Sequence, residues 1–361
     1  MFRDDWQESE ERFCKLWKRE RADRSCVSMT LLKKPENPVA FPYYEPDDYF
    51  RRMITDEEFM YHTVMQTVDK FYFAGDAFPC VNLYLGTSGH CGYTKNYKYG
   101  IASHTNTLWF DPVMDNITDF SIEFDPQSEL FQITKRILAY MKDKGGRDFF
   151  VANTDNCSSL DALANLRGSA ELLLDMLEEP EAVHVHMKRL QSILHKTEDE
   201  FHEEIAAING GATCTSWMGL WHPGRHHQLQ CDISVMISPD MFEEFALPEL
   251  KENAAKFENT VYHLDGEEQI RHLDMILSVD NIDIIQWTAV AGQPPTSHFL
   301  ETLKKIQKAG KGLLLMPNAS EMPFLLENLD PAGVMYQING GIGTPEQADE
   351  MVELVTRKTV L

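Results

Sequence analysis

Positive charge is scarce in this 361-residue chain: 33 lysines and arginines face 57 aspartates and glutamates, a formal net charge of −24. No Lys/Arg cluster runs along it, which sets nucleic acid aside as a partner, because phosphate recognition needs grouped cations. Also missing is any run of about 18 apolar residues able to span a bilayer. The opening MFRDDWQESEERF is charged from its third residue and has no apolar core of signal-peptide length. The seven cysteines (Cys14, Cys26, Cys80, Cys91, Cys157, Cys214, Cys231) form no C-x-x-C pair. An odd, scattered set reads as free thiols, so the expected location is a reducing cytoplasm, away from any membrane. No G-x-G-x-x-G follows an expected strand, and the glycine-rich NLYLGTSGHCGY (residues 82–93) lacks the Lys-Ser/Thr of a phosphate loop. That stretch is expected to shape a pocket floor, with His90 and Cys91 nearby. Internal repeats, low-complexity tracts and domain linkers are absent.

What is present suffices for a sizeable core: 43% hydrophobic and 11% aromatic residues. Residues 5–23 place Trp6, Phe13, Leu16 and Trp17 on one side of a helix. CVSMTL (26–31) reads as a strand, and KKPENPVAFPYYEPDD, with four prolines, as an extended arm. From residue 147 strands and helices alternate. RDFFVANTD, TCTSWMGLWH, NTVYHLDG, IDIIQWTAV, KGLLLMPN and GVMYQING read as strands, and the segments between them as helices or loops. Such alternation means parallel strands with crossover helices. The β-α units repeat after residue 147, and further units fit before it, with 26–31 and 79–85 as strand candidates. The expectation is an α/β fold, a (β/α)8 TIM barrel with an N-terminal helical extension and loop insertions. It would span 1–361 as a single domain, with residues 1–75 as N-terminal helix, first strand and covering arm; a doubly wound sheet is the alternative.

A barrel keeps its active site at the C-terminal strand ends. Here those ends are polar and aromatic: Asn153, Thr154 and Asp155; Trp217, Trp221 and His222; His263 and Asp265; Gln286 and Trp287; Met316 and Asn318; Gln337 and Asn339. They predict a concave small-molecule site. His263 and Asp265 stand at i and i+2 on a strand, so they leave on one face, and Gly266 lets the chain turn away. Imidazole and carboxylate together can hold zinc or another divalent metal, or act as base and orienter; alternatively Asp265 caps a helix starting at Glu267. A second cluster, His222, Arg225, His226, His227, Cys231 and Asp232, falls in what reads as a loop. Its histidines are either metal ligands or solvated side chains, and Cys231 is either a thiol activated by a helix end or a buried inert one. His184 and His186 read as surface positions on a helix.

Four stretches, NLRGSAELLLDMLEEPEAV, DISVMISPDMFEEFALPEL, VYHLDGEEQIRHLDMIL and INGGIGTPEQADEMVELV, resemble the uroporphyrinogen decarboxylase superfamily, which also contains zinc-dependent methylcobamide methyltransferases. The likeness covers roughly residues 147–358 and implies a (β/α)8 barrel with its pocket at the C-terminal mouth. The arginine-rich RQAGR segment with which true decarboxylases grip substrate carboxylates has no counterpart here. Thiol-acceptor methyltransferases of the superfamily bind zinc through His-x-Cys and a distant cysteine. This chain has His263-Leu264-Asp265 in the first place and Gly340 or Gly341 in the second. Nitrogen and oxygen ligands donate less charge than thiolates and leave a stronger Lewis acid, suited to polarising a substrate oxygen.

The resemblance and the residues together lead to a corrinoid-dependent methyltransferase acting on a small methoxy compound or methylamine, with the corrinoid carried by a partner protein. Expected as catalytic are His263, Asp265 and Asp155; as substrate-binding Trp217, Trp221, His222, Gln286, Trp287 and Asn339; as metal ligands His263, Asp265 and Cys231. A metal-free decarboxylase or lyase, and a non-catalytic barrel that binds a corrinoid or tetrapyrrole, are the alternatives. A homodimer is the expected assembly.

Overall fold

Apolar strands of four to seven residues, each followed by a helix, set the second half of the architecture. The computed structural model describes residues 5–34, 46–83, 85–102, 107–144, 148–156 and 158–359, so most of the proline-rich arm lies outside the described residues. The described strands are β1 Cys26–Leu32, β2 Phe71–Gly75, β3 Cys80–Val81, β4 Tyr99–Ala102, β5 Thr107–Phe110, β6 Phe150–Val151, β7 Thr213–Thr215, β8 Leu220–His222, β9 His227–Leu229, β10 Thr260–Asp265, β11 Ile282–Thr288, β12 Gly312–Leu315 and β13 Val334–Gln337.

Seven of them form one sheet in the order β2-β1-β13-β12-β11-β10-β9. It is parallel from β1 to β9, with β2 added antiparallel at one edge. Parallel neighbours require crossovers, and helices Leu273–Leu277, Leu300–Lys308, Met322–Asn328 and Pro345–Thr359 supply them or close the chain. β3 pairs in parallel with β6, and the Asn153 N–H donates to the Cys214 carbonyl at 2.8 Å, tying the end of β6 to β7. The fold is therefore mixed α/β with a wound parallel sheet; among the described residues the ladders do not join it into a closed ring of eight.

The two faces of this sheet differ in kind. On the outer face Val27, Tyr262, Leu264, Ile285, Trp287, Leu313 and Tyr336 belong to the large core shared with the helices. The inner face carries a second apolar cluster, Cys26, Val261, Ile284, Leu314 and Met335, packed with Met218, Leu220 and Trp221. Two residues further along the same strands, and so on the same face, come Ser28, His263, Gln286 and Gln337. The inner face is thus apolar at the N-terminal ends of its strands and polar toward their C-terminal ends.

The N-terminal helix Trp6–Lys18 closes the apolar end. Trp6 and Phe13 pack edge-on or tilted against Trp221, and the Trp17 indole N–H donates to the Trp221 carbonyl at 2.8 Å. Arg19 reaches Asp283, at the start of β11, at 3.2 Å. A fully buried carboxylate fastens this helix: Asp76 accepts from Ser9 Oγ at 2.8 Å, Arg12 Nη1 at 3.2 Å, Arg24 Nη2 at 3.0 Å and the Val27 N–H at 3.0 Å. Among the described residues no helix is long and apolar enough to cross a membrane.

Two sequence expectations change here. TCTSWMGLWH is a hairpin, not one strand: β7 and β8 pair antiparallel with Cys214 opposite Trp221, and the turn closes from Gly219 N–H to the Ser216 carbonyl at 3.1 Å. Gly219 turns with φ +56°, a backbone position that costs glycine nothing. The histidine-rich segment is not simply a loop, because His227–Leu229 is strand β9, in register with Thr260–Tyr262 of β10.

Candidate active site at the strand ends

Because β7 and β8 turn back on themselves, the tip of their hairpin places Trp217 at the level of the polar residues. The Trp217 ring lies edge-on to His263 with centroids 5.1 Å apart. Its indole N–H donates to Gln228 Oε1 at 2.9 Å, and its carbonyl accepts from Gln337 Nε2 at 2.9 Å. Trp217 thus spans from β9 to β13 and forms the floor of the mouth.

On one side of this floor three ligand-bearing side chains converge. One donor atom each from Asp232, His263 and Asp265 lies within 4.8 Å of the others, and no other such trio occurs among the described residues. His263 and Asp265 follow from strand alternation; Nε2 of His263 stands 3.8 Å from Oδ1 of Asp265. Gln286, neighbour of His263 in the β10–β11 register, meets Nδ1 of the ring through its Oε1, while its Nε2 donates to Thr288 Oγ1 at 2.6 Å. A carboxamide oxygen only accepts, so Nδ1 carries the proton and Nε2 presents its lone pair to the carboxylates. Gly266, with φ +79°, then turns the chain off the strand; a Cβ there would lie 3.1 Å from Gln293 Nε2.

Asp232 arrives from β9. Gln228, Gln230 and Asp232 alternate on one face and are chained: Gln228 Nε2 donates to Gln230 Oε1 at 3.0 Å, and Gln230 Nε2 to Asp232 Oδ2 at 3.1 Å. The Asp232 and Ile233 N–H groups donate to the buried Asp161 carboxylate at 3.0 and 2.7 Å, which pins the backbone beneath the side chain. Oδ1 of Asp232 is buried with no hydrogen-bond partner. Gln228 also donates to Asp155.

Electrostatics here are dominated by burial. Asp232 is pushed up to about 7 by burial, with the negative charges of Asp265 and Asp155 adding to it. Asp155 rises to about 7, again through burial, against the hydrogen bond from Gln228. Burial lowers His263, while Asp265 and Gln286 pull the other way. These carboxylates and this imidazole have no Lys or Arg counterion among the groups that set their ionisation. A divalent cation fits that set: an orphaned buried carboxylate oxygen, a second carboxylate, and an imidazole whose free nitrogen is fixed by a hydrogen bond on the other.

Across the floor a cavity of about 290 Å³ opens between β1 and β13. Ser28, Thr30, Ser216, Gln337 and Asn339 give it polar atoms, and Phe78 and Ile338 are among its apolar walls. Its described lining holds no charged side chain.

Of the residues singled out in the sequence, His263, Asp265, Asp155, Trp217 and Gln286 gather on one side of the mouth and Asn339 lines the cavity on the other. Gln337 lines that cavity as well and Asp232 joins the first group, whereas the following lie elsewhere. Cys231 points away from the cluster: it is buried in the outer core, burial and nearby carboxylates raise its thiol, and its neighbour Asp232 is the residue that converges with His263 and Asp265. The reason is strand alternation, which sends residues 231 and 232 to opposite faces. Trp287 faces the helices and packs on Phe299, with centroids 4.8 Å apart. Trp221 and His222 sit on the returning arm of the hairpin, at the opposite end of the strands; His222 lies edge-on to Trp17 at 5.1 Å and accepts from the Gly224 N–H. His226 is held between Thr213 and Thr215 hydroxyls at 2.6 and 2.9 Å, and His227 stacks on Phe257. His186 is buried against the Ile117 carbonyl rather than exposed, and His90 and Cys91 are core residues away from the floor. The helical turn after β10, Glu267–His272, has Gly266 at its N-cap and no side-chain cap, so Asp265 is not spent on capping. Asp232 figures in the sequence only as a member of the histidine-rich segment, without a ligand role, and Asp161 and Ser28 are contributors that no sequence signal marks. The alternation Gln228-x-Gln230-x-Asp232 was the available signal for the first.

No protein-family model and no curated protein matches the sequence. Among solved structures, a methyltransferase from Methanosarcina mazei superposes with a TM-score of 0.62 at 11% identity, over 97% of this chain and 98% of that one. The two share a fold along nearly their whole length.

Proposed function

We propose that this chain is a methyltransferase on a (β/α)8 frame of the uroporphyrinogen decarboxylase superfamily, moving a methyl group from a small methoxy compound or methylamine to a corrinoid carried by a partner protein. The convergence of Asp232, His263 and Asp265 at one end of a parallel sheet carries this reading. The fold shared with the Methanosarcina mazei methyltransferase supports it. Zinc or another divalent metal, held by these three side chains, would supply Lewis acidity toward the substrate heteroatom that loses its methyl group. Gln286 fixes the His263 tautomer, and Gln230 and Asp161 hold Asp232 in place. Trp217 keeps the floor closed and excludes water from beneath the reacting atoms. Asp155, held near neutral pKa, can carry a proton at the far end of the Gln228–Gln230 chain that leads to Asp232.

The test is transfer to cob(I)alamin, followed by absorbance, with panels of methoxyaromatics and methylamines and the metal-loaded protein. Methylcobalamin formation that disappears in His263→Ala is the expected result; no methylcobalamin from any donor contradicts it. A metal-free decarboxylase or lyase is the second reading, favoured by the two carboxyl groups held near pKa 7 beside an imidazole. Decarboxylase or lyase turnover that persists in full after metal removal would favour it over the first.

A further inference from the structure

We propose that the cavity between β1 and β13 is the substrate subsite, and that its ligand is an uncharged compound bearing at least one O–H or N–H donor. This rests on the reading of the strand ends as the active site and adds to it the chemistry of the substrate.

The first observation is an unmet pair of polar atoms. Ser28, only 4% exposed, has an Oγ with no hydrogen-bond partner, and the Oε1 of Gln337 is likewise buried and unpartnered. The two residues are neighbours in the β1–β13 register and both line the cavity. Buried polar atoms cost free energy unless paired, so each calls for a partner from a ligand or a water. The Gln337 amide is already oriented, since its Nε2 donates to the Trp217 carbonyl. Its Oε1 can only accept, which requires a donor on the ligand. The Ser28 hydroxyl can give or take a bond, so a single ligand hydroxyl can satisfy both atoms. Gly219 faces the same pair: a Cβ there would stand 3.6 Å from Ser28 Oγ and 3.7 Å from Gln337 Nε2.

The second observation is charge. No charged side chain lines the cavity among the described residues. The cluster across Trp217 would be neutralised by a divalent ion, so the charge selectivity of the cavity is set by its own uncharged lining. A carboxylate or sulfonate ligand would enter without a cationic partner and bear the full cost of desolvation. A cationic ligand would likewise find no carboxylate in the lining. A neutral ligand carries neither penalty. The volume of about 290 Å³ lies at the small end of ligand pockets, which suits a one-ring or smaller molecule. Trp217 joins the two halves, with its carbonyl bound to Gln337 and its ring on His263.

The experiment is calorimetric titration of the full chain, supported by saturation-transfer NMR. The probes are neutral 2-methoxyphenol, anionic 4-hydroxy-3-methoxybenzoate and cationic tetramethylammonium. The wild type is expected to bind 2-methoxyphenol with a Kd of about 1 mM or tighter, and either charged probe at least about tenfold more weakly. Ser28→Ala and Gln337→Met should each weaken 2-methoxyphenol by about tenfold, the loss of one buried hydrogen bond. Ser28→Ala removes a single oxygen and carries the test by itself if Gln337→Met does not fold. Tighter binding of a charged probe, no binding of 2-methoxyphenol, or unchanged binding in the folded variants overturns the proposal. Failure of methyl transfer is read separately in the cob(I)alamin assay: it would leave this binding order intact and remove only the reaction assigned to the site.

Discussion

The Nδ1 of His263 is held by the carboxamide oxygen of Gln286, its neighbour in the β10–β11 register, and this alone decides which ring nitrogen faces Asp232 and Asp265. Gln286 is fully buried and its own amide is fixed by Thr288, so the imidazole is oriented before any ligand arrives. Gln286→Leu removes the acceptor and frees the tautomer. Zinc affinity, measured by competition with a chromophoric chelator, should fall by about 10- to 100-fold, whereas Gln286→Glu should retain it or tighten it.

Glu249 lies outside the site, in the core behind β9, and burial raises it to about 7 even though Ser159 donates to it from both its N–H at 2.9 Å and its Oγ at 2.6 Å. A carboxyl whose folded pKa exceeds its unfolded value binds its proton more tightly when folded. Its contribution to stability is therefore fully present below the unfolded pKa, near 4.5, and is lost as pH rises through about 7. The magnitude is on the order of 3 kcal/mol. The slope of unfolding free energy against pH, from urea melts between about pH 5 and 8, should be negative for this group. Glu249→Gln should flatten that slope relative to wild type; an unchanged slope would mean that Glu249 is ionised in the fold.

Asp76 is the fastening of the N-terminal helix, with two arginines, a serine and a backbone N–H turned toward one buried carboxylate. Asp76→Ala leaves Arg12 and Arg24 without their buried partner, and the loss should be about 3–5 kcal/mol in urea unfolding. Because the helix closes the end opposite the ligand cluster, a folded Asp76→Asn protein should keep the zinc affinity of the wild type.

Periodicity made the second half of the fold legible. Strands β10 to β13 and the helices after them stand where apolar runs and caps put them, because each is a local pattern. The same alternation put His263 and Asp265 on one face. What escaped was set by turns. A ten-residue apolar and aromatic run reads as one strand unless Ser216–Gly219 is recognised as a reversal, and missing that sent Trp221 and His222 to the wrong end of the sheet. Reading residues 222–232 as a loop hid β9, and with it the period of two that turns Asp232 inward and Cys231 outward. Trp287 stands at a strand end in the sequence, but its place next to Gln286 turns it to the opposite face. The Ser28–Gln337 pair could not be read locally, since its two members come together only through the pairing of the first and last long strands.

Metal content tests the central claim most directly. Elemental mass spectrometry on gently purified protein should find about one zinc or other divalent ion per chain in the wild type and in Cys231→Ala, because a sulfur facing the outer core contributes no ligand. In Asp232→Ala, His263→Ala and Asp265→Ala, each confirmed as folded by circular dichroism, the content should fall close to zero after dialysis against a mild chelator. Full occupancy in those three variants, or loss of the ion only in Cys231→Ala, would contradict the assignment of Asp232, His263 and Asp265 as the metal-binding set.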